Sequence, residues 1–196
     1  MGERLDAQLA FLLEADRLKG VERRNRVLAG ERRENTAEHS WHLALFGLVL
    51  AEHSDEPVDA GRVVRMLLLH DLVEIDAGDT FAYDVEAMAT KVDRERAAAD
   101  RIFGLLPADQ GAVLRALWDE FEAAETADAR FANAVDRLQP VLLNHAAQGA
   151  SWQEHGVTAG RIREVNGRIA HASASLWAAA QVRIDDAVAR GYVDEG

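Results

Sequence analysis

Sparse proline, little alternation of β-branched residues and abundant Ala, Leu, Glu and Arg predict an all-α protein. The chain has 196 residues, three prolines and 48% hydrophobic content, enough for one well-buried core and one domain over 1–196. No period of roughly 20 to 50 residues recurs, so the sequence is not a solenoid. Neither a linker nor a low-complexity tract divides it.

The elements follow in order. Leu5, Leu9 and Leu12 lie at helical spacing and give a first amphipathic helix over about 3–19, ended by Gly20. The next helix opens at Asn35, which caps it with Glu38 in capping-box position, and runs to about His53. Asp59 caps a third, whose block Met66 to Leu69 is apolar on every side and therefore central. Gly78 interrupts it, and "GDTFAYD" reads as a loop. A polar helix spans about Val85 to Leu105, Pro107 starts another, and Thr126 caps the next. Pro140 is expected to kink or split that helix near Gln139. "GASWQEHG" reads as a loop, and Thr158 begins a long last helix ending at Gly191. The core of the unit is expected over about 5–145, with the helices of about 146–190 packing on it or on a second subunit.

Thirty-four acids against 22 Lys and Arg give a formal charge of −12, which opposes non-specific binding to nucleic acid or to anionic membranes. No stretch approaches the roughly 18 apolar residues of a membrane span, and "MGERLDAQLAFLLEADRLKG" is charged where a signal peptide is apolar. A cytoplasmic protein is expected. With no cysteine, disulfides, zinc ribbons and thiol catalysis are excluded, and any metal site must be built from His, Asp and Glu. Positive charge concentrates in "RLKGVERRNRVLAGERR", where Arg17, Lys19, Arg23, Arg24, Arg26, Arg32 and Arg33 face only Glu22 and Glu31. Alone, that segment reads as a solvated basic loop; it also suits a small phosphorylated substrate.

The stretch "LLLHDLVEIDAGDT", residues 67–80, places His70 and Asp71 at the end of an apolar run and follows them with Glu74, Asp76 and Asp79. On a helix His70 and Asp71 stand about 100° apart and Glu74 lies one turn on, so all three can border one cavity. A lone His-Asp pair is most simply a hydrogen-bonded core histidine beside a satisfied acid. Burying Asp71 without a cation, however, costs several kcal/mol or shifts its pKa, and a divalent metal removes the difficulty. Two partners are in view: His39 on the second helix, and Asp136 in "FANAVDRLQP", an acid among apolar neighbours. Two imidazoles and two carboxylates suit Mn, Fe, Co, Ni or Zn better than Ca.

The series His39, His70-Asp71, Asp136, each on a different predicted helix, resembles the HD-domain metal-dependent phosphohydrolase superfamily. "ENTAEHSWH" with "HDLVEIDAGD" resembles its bacterial 5'-deoxynucleotidase branch and the eukaryotic relatives of that branch. The resemblance covers about residues 5–145. It implies an HD-domain helical bundle in which His39, His70, Asp71 and Asp136 hold one divalent ion, with Mg added to the metals named above. It further implies Glu74 and Asp79 as catalytic residues, Arg24 as the phosphate-contacting arginine with Arg23 as alternative, a nucleotide as substrate, and a homodimer. The branch's Arg-Trp pair reads Arg24-Asn25 here, so the aromatic residue that shapes its sugar pocket is missing at that position.

These residues suit phosphate-ester hydrolysis: a divalent metal activates water near neutral pH, Glu74 and Asp79 move protons, and an arginine neutralises phosphate charge. The leading expectation is release of phosphate from 5'-(deoxy)nucleoside monophosphates. The alternatives are hydrolysis of another phosphoester or of nucleoside triphosphates, or a noncatalytic helical module binding metal or nucleotide. His42 reads as a hydrogen-bonded core histidine and Glu38 as a cap. His53, His155 and His171 read as surface residues, and His145 has no evident partner. Trp41, Trp118, Trp152 and Trp177 read as core or interface anchors, and Asp76 and Asp84 as solvated acids.

Overall fold

The structure, a computed structural model, describes residues 2–28 and 32–196; Glu31 of the basic segment lies outside them. Its helices are α1 (Glu3–Ala15), α2 (Thr36–Leu50), α3 (Ala60–Leu69), α4 (Glu74–Ala77) and α5 (Val85–Phe103). They continue as α6 (Ala108–Ala123), α7 (Ala127–Ala146), α8 (Ala150–Glu154), α9 (Ala159–Asn166) and α10 (Ala174–Ala189). Short 3-10 turns follow α1, α2 and α9, and one antiparallel hairpin joins β1 (Glu22–Arg26) to β2 (Arg33–Asn35). The all-α expectation holds, with that hairpin as its exception.

Side-chain caps start six of the ten α-helices among the described residues, four of them at the residues the sequence predicts. Asn35 Oδ1 accepts from Glu38 N at 2.9 Å and Glu38 Oε2 accepts from Asn35 N at 3.2 Å, completing the capping box. Asp59, Thr126 and Thr158 cap α3, α7 and α9 through their side-chain oxygens. Asp84, read as a solvated acid, caps α5 by accepting from Ala87 N at 3.0 Å. Gly78 ends α4 at φ +74°, a backbone state that favours glycine.

Two apolar clusters fill the interior. One joins α2, α3 and α7 to the C-terminal helices; the other gathers Phe11, Leu18, Leu72 and Val73 onto α5 and α6. Where α2 crosses α3, a Cβ at Gly47 would stand 3.0 Å from Leu67 and 3.1 Å from Val63, so glycine sets how closely the helices approach. Within the block Met66 to Leu69, Met66 and Leu67 are buried while Leu68 is exposed. His70 and Asp71 follow directly, in the turn between α3 and α4.

Four expectations need correction. The apolar stripe of α1 does not face the core: Leu5, Leu9, Leu12 and Leu13 are exposed, while Phe11 is buried. The docked side is the polar one, because Arg4 pairs with Asp109 and Gln8 donates to Gln110 on α6. Pro140 does not split α7, since Gln139 and Val141 on either side are buried and tertiary packing holds the helix through the missing bond. "GASWQEHG" contains α8, whose Trp152 is buried. The long last helix is two helices, divided where Ser173 caps α10 and donates to His53 O at 2.6 Å.

Candidate metal centre and active site

Two helices and one turn converge on the candidate centre. His39 lies one turn into α2, His70 and Asp71 stand in the turn after α3, and Asp136 projects from the middle of α7. His39 Nε2 is 3.0 Å from Asp136 Oδ1, and His70 Nε2 is 3.1 Å from Asp71 Oδ2 and 3.7 Å from Asp136 Oδ1. Asp71 Oδ2 is also 3.8 Å from His39 Nε2. The ligand-type atoms of His39, His70 and Asp136 lie within 4.8 Å of one another.

Surrounding contacts fix both imidazoles. His70 donates Nδ1–H to the carbonyl of Leu67 at 2.9 Å, which leaves Nε2 as the lone-pair nitrogen facing the acids. Trp118 Nε1 donates to His70 O at 3.0 Å, and the Phe121 ring packs 4.9 Å from the imidazole centroid. His39 Nδ1 faces Glu34 Oε2 at 3.4 Å, and Glu34 itself is 3% exposed. Gln139 Nε2 donates to Glu34 Oε1 at 2.8 Å and approaches His42 Nδ1 at 3.4 Å. Sequence reasoning missed Glu34. Its position beside the capping residue Asn35 drew attention only to the cap.

The same groups pass the chemical test for a divalent cation. His70 Nε2 is buried without a hydrogen-bond partner, and an imidazole nitrogen between two carboxylates has the donor set that Mn, Fe, Co, Ni or Zn takes. Burial opposes charge on His70, yet Asp71 and Asp136 outweigh it and raise the pKa well above its ordinary value. Asp136 is likewise held well below the carboxylate range, against burial, by His39 and His70. The acids demand positive charge at this point.

Arg23 is the second focus. Strand β1 turns Arg23 inward, where Nη1 donates to Asp71 Oδ2 at 2.8 Å and lies 3.8 Å from Glu74 Oε1 and 3.5 Å from Asp79 Oδ1. Burial opposes the Arg23 charge, but Asp71, then Glu74, Asp79 and Asp136 raise its pKa. Glu74 is 4% exposed and its Oε2 accepts from Thr36 Oγ1 at 2.9 Å. Burial and then the Asp71 charge push its carboxyl well above the ordinary range, against Arg23. Asp79 moves the same way, chiefly by burial. Two carboxyls inclined to hold protons therefore share one guanidinium with an ionised Asp71.

The acids and arginines of the centre border a cavity of about 370 Å³ whose lining includes Arg23, Arg24, Asp71, Glu74, Asp79 and Asp136. The structure thus brings together every residue the sequence singled out, with a difference between the two arginines. Arg24, expected at the phosphate, is exposed where it lines the cavity, while Arg23 is engaged by the acids. The remaining basic segment disperses: Arg17 pairs with Glu14, Arg26 and Arg33 with Glu154, and Arg32 with Glu38. His145 does have a partner, Asp186, at 2.7 Å. Asp76 pairs with Arg101, and Asn25 is buried, accepting from Asn144 Nδ2 at 2.8 Å.

Comparison with known proteins follows this geometry. The chain is 29% identical over 157 residues to 5'-deoxynucleotidase HDDC2 of Homo sapiens, covering 80% of this chain and 73% of that protein. The corresponding protein of Dictyostelium discoideum is 26% identical over 140 residues, 68% of this chain and 74% of its own. Among solved structures, a predicted metal-dependent phosphohydrolase from Magnetospirillum magnetotacticum superposes with a TM-score of 0.92 at 53% identity, covering 97% of this chain and 96% of that one. A conserved hypothetical protein from Pyrococcus furiosus shares the fold, with a TM-score of 0.61 at 19% identity over 91% of this chain and 98% of its own. The HD domain pattern matches residues 15–177, beyond the 5–145 over which the resemblance was read, and the chain belongs to the HD domain family.

Proposed function

We propose that this protein is a divalent-metal-dependent phosphohydrolase that releases phosphate from 5'-nucleoside monophosphates, 5'-deoxynucleotides first. The observation that carries the reading is Arg23 tying Asp71, Glu74 and Asp79 together beside the His39, His70 and Asp136 cluster. A purely structural metal site has no use for two further buried acids bordering an open cavity. The human relative's name, 5'-deoxynucleotidase, supports the substrate class, and the phosphohydrolase at 53% identity supports the reaction.

His39 and His70 through Nε2, with Asp71 and Asp136, would hold one ion. Mn, Co, Fe, Ni, Zn and Mg are its candidates. Such an ion supplies Lewis acidity toward a phosphate oxygen and a water acidic enough to attack near neutral pH. Glu74, buried beside Asp71 on the cavity wall, would take the proton of the attacking water, and Asp79 would give one to the leaving 5' oxygen. Arg23 orients the acids, and Arg24 meets the phosphate charge from its exposed position on the cavity.

The test is phosphate release from 5'-deoxynucleotides, 5'-ribonucleotides and their 3' isomers, with Mn or Co added and chelator as control. Chelator-sensitive release from 5'-monophosphates is expected; no release from any of them sinks the reading. Asp71→Ala and Asp136→Ala are each expected to lose bound metal.

The proposal extends to a single domain over 1–196 in the cytoplasm, acting as a homodimer. A cavity lined from Arg23 to Arg168 supports the single domain. Among the described residues no helix is long and apolar enough to cross a membrane. The dimer is supported by the exposed stripe Trp41, Leu45, Leu48 and Val49 on α2.

A further inference from the structure

Six cations line the cavity: Arg23 and Arg24 from β1, Lys91 from α5, Arg137 from α7, Arg161 from α9 and Arg168 from the turn after it. The same lining holds five acids, Asp71, Glu74, Asp79, Asp136 and Glu164, so in a chain of formal charge −12 the cavity carries a slight excess of cations. Three of them are balanced by carboxylates: Arg23 by the site acids, Lys91 by Glu95 at 3.4 Å and Arg161 by Glu164 at 2.6 Å. Arg24, Arg137 and Arg168 have no carboxylate partner among the described residues.

Arg24 has work at the metal end, where its charge acts on Asp79. Arg137 and Arg168 belong to the wall built with α9, since Arg137 Nη1 donates to the carbonyl of Val165 at 2.9 Å. Tyr83 stands on that wall as well; its oxygen accepts from Asn166 Nδ2 at 3.3 Å and its own O–H remains a donor. Guanidinium groups without carboxylates, lining the same cavity as a phenol donor, match a phosphate in charge and hydrogen-bonding type. A neutral sugar or base does not call for that charge.

We propose that Arg137, Arg168 and Tyr83 form a second anion subsite, which takes the second phosphate of a doubly phosphorylated nucleotide, a nucleoside 3',5'-bisphosphate being the simplest. The inference rests on the phosphohydrolase reading and deepens it by naming the substrate class. Water attacks the 5' phosphorus, the P–O5' bond breaks, the 5' oxygen takes a proton, and the second phosphate leaves intact on the nucleoside product.

The experiment compares adenosine 3',5'-bisphosphate with adenosine 5'-monophosphate on the Mn-loaded enzyme, by kcat/KM and by calorimetric Kd, in wild type and Arg168→Gln. The bisphosphate is expected to be favoured roughly tenfold or more, the scale of a charged hydrogen bond, and Arg168→Gln to bring that ratio toward one. Equal handling of the two by wild type overturns the subsite. So does a ratio that Arg168→Gln leaves unchanged. If wild type hydrolyses neither of these nor any 5'-deoxynucleotide, the phosphohydrolase reading fails, and the two Kd values still decide the subsite.

Discussion

At the residue scale, Arg23 explains why three acids can share one buried corner. Its guanidinium meets Asp71, Glu74 and Asp79 within 3.8 Å; against burial, His70 and then Arg23 hold Asp71 below the ordinary carboxylate range, while burial raises Glu74 and Asp79. That division gives Glu74 a testable role. Glu74→Gln is expected to lower kcat by about 10² to 10⁴ with metal content by atomic emission unchanged; undiminished turnover would remove Glu74 from the mechanism. Glu34 acts one shell further out, its carboxylate facing the ring nitrogen of His39 that does not face Asp136. Glu34→Gln is expected to weaken Mn or Co binding by roughly 10- to 100-fold, read by calorimetric titration, with helicity by circular dichroism intact. Unaltered affinity would reduce Glu34 to a packing residue.

At the element scale, α2 is started by a cap and aimed by packing. Asn35→Ala removes the oxygen that accepts from Glu38 N and is expected to cost about 1 kcal/mol, seen as a lower Tm. Helix α5 carries a pH dependence of its own. Glu95 is 3% exposed, and burial, with Glu122 and Asp71 assisting and Lys91 opposing, raises its pKa to about 7. The unfolded value is near 4.3, so the folded chain binds this proton more tightly. The stability it contributes is complete below the unfolded value and is lost as pH rises through about 7. Urea unfolding at pH 5 and pH 8 is expected to show wild type losing on the order of 2 kcal/mol relative to Glu95→Gln. An equal response of the two proteins would place Glu95 in contact with solvent.

At the scale of the whole molecule, surface apolarity points to association. Trp41 is 62% exposed, and Leu45, Leu48 and Val49 continue its stripe at helical spacing. Trp41→Glu is expected to convert the proposed dimer to monomer in light scattering; an unchanged mass would exclude this face. The last helices, expected to pack on the core or on a second subunit, are divided at Ser173, and Leu176 and Ile184 of α10 are buried within the chain's own core.

Helix starts were legible because a capping side chain and the backbone amides it satisfies lie within three residues of one another, as at Asn35, Asp59, Thr126 and Thr158. His39, His70, Asp71 and Asp136 were legible for a related reason: acids and imidazoles set into apolar helices violate the hydrophobic pattern unless something compensates them. The hairpin was not legible, because "ERRNR" has neither β-branched nor aromatic residues and its inward arginine is compensated by acids 48 or more positions away. Glu34, the engagement of Arg23 rather than Arg24 by the acids, the outward leucines of α1 and the continuity of α7 through Pro140 share that property. The sequence by itself determined the local hydrogen-bonding and the residues that had to be neutralised. Only the tertiary structure decided which charge neutralises which, because that depends on contacts between segments far apart in the chain.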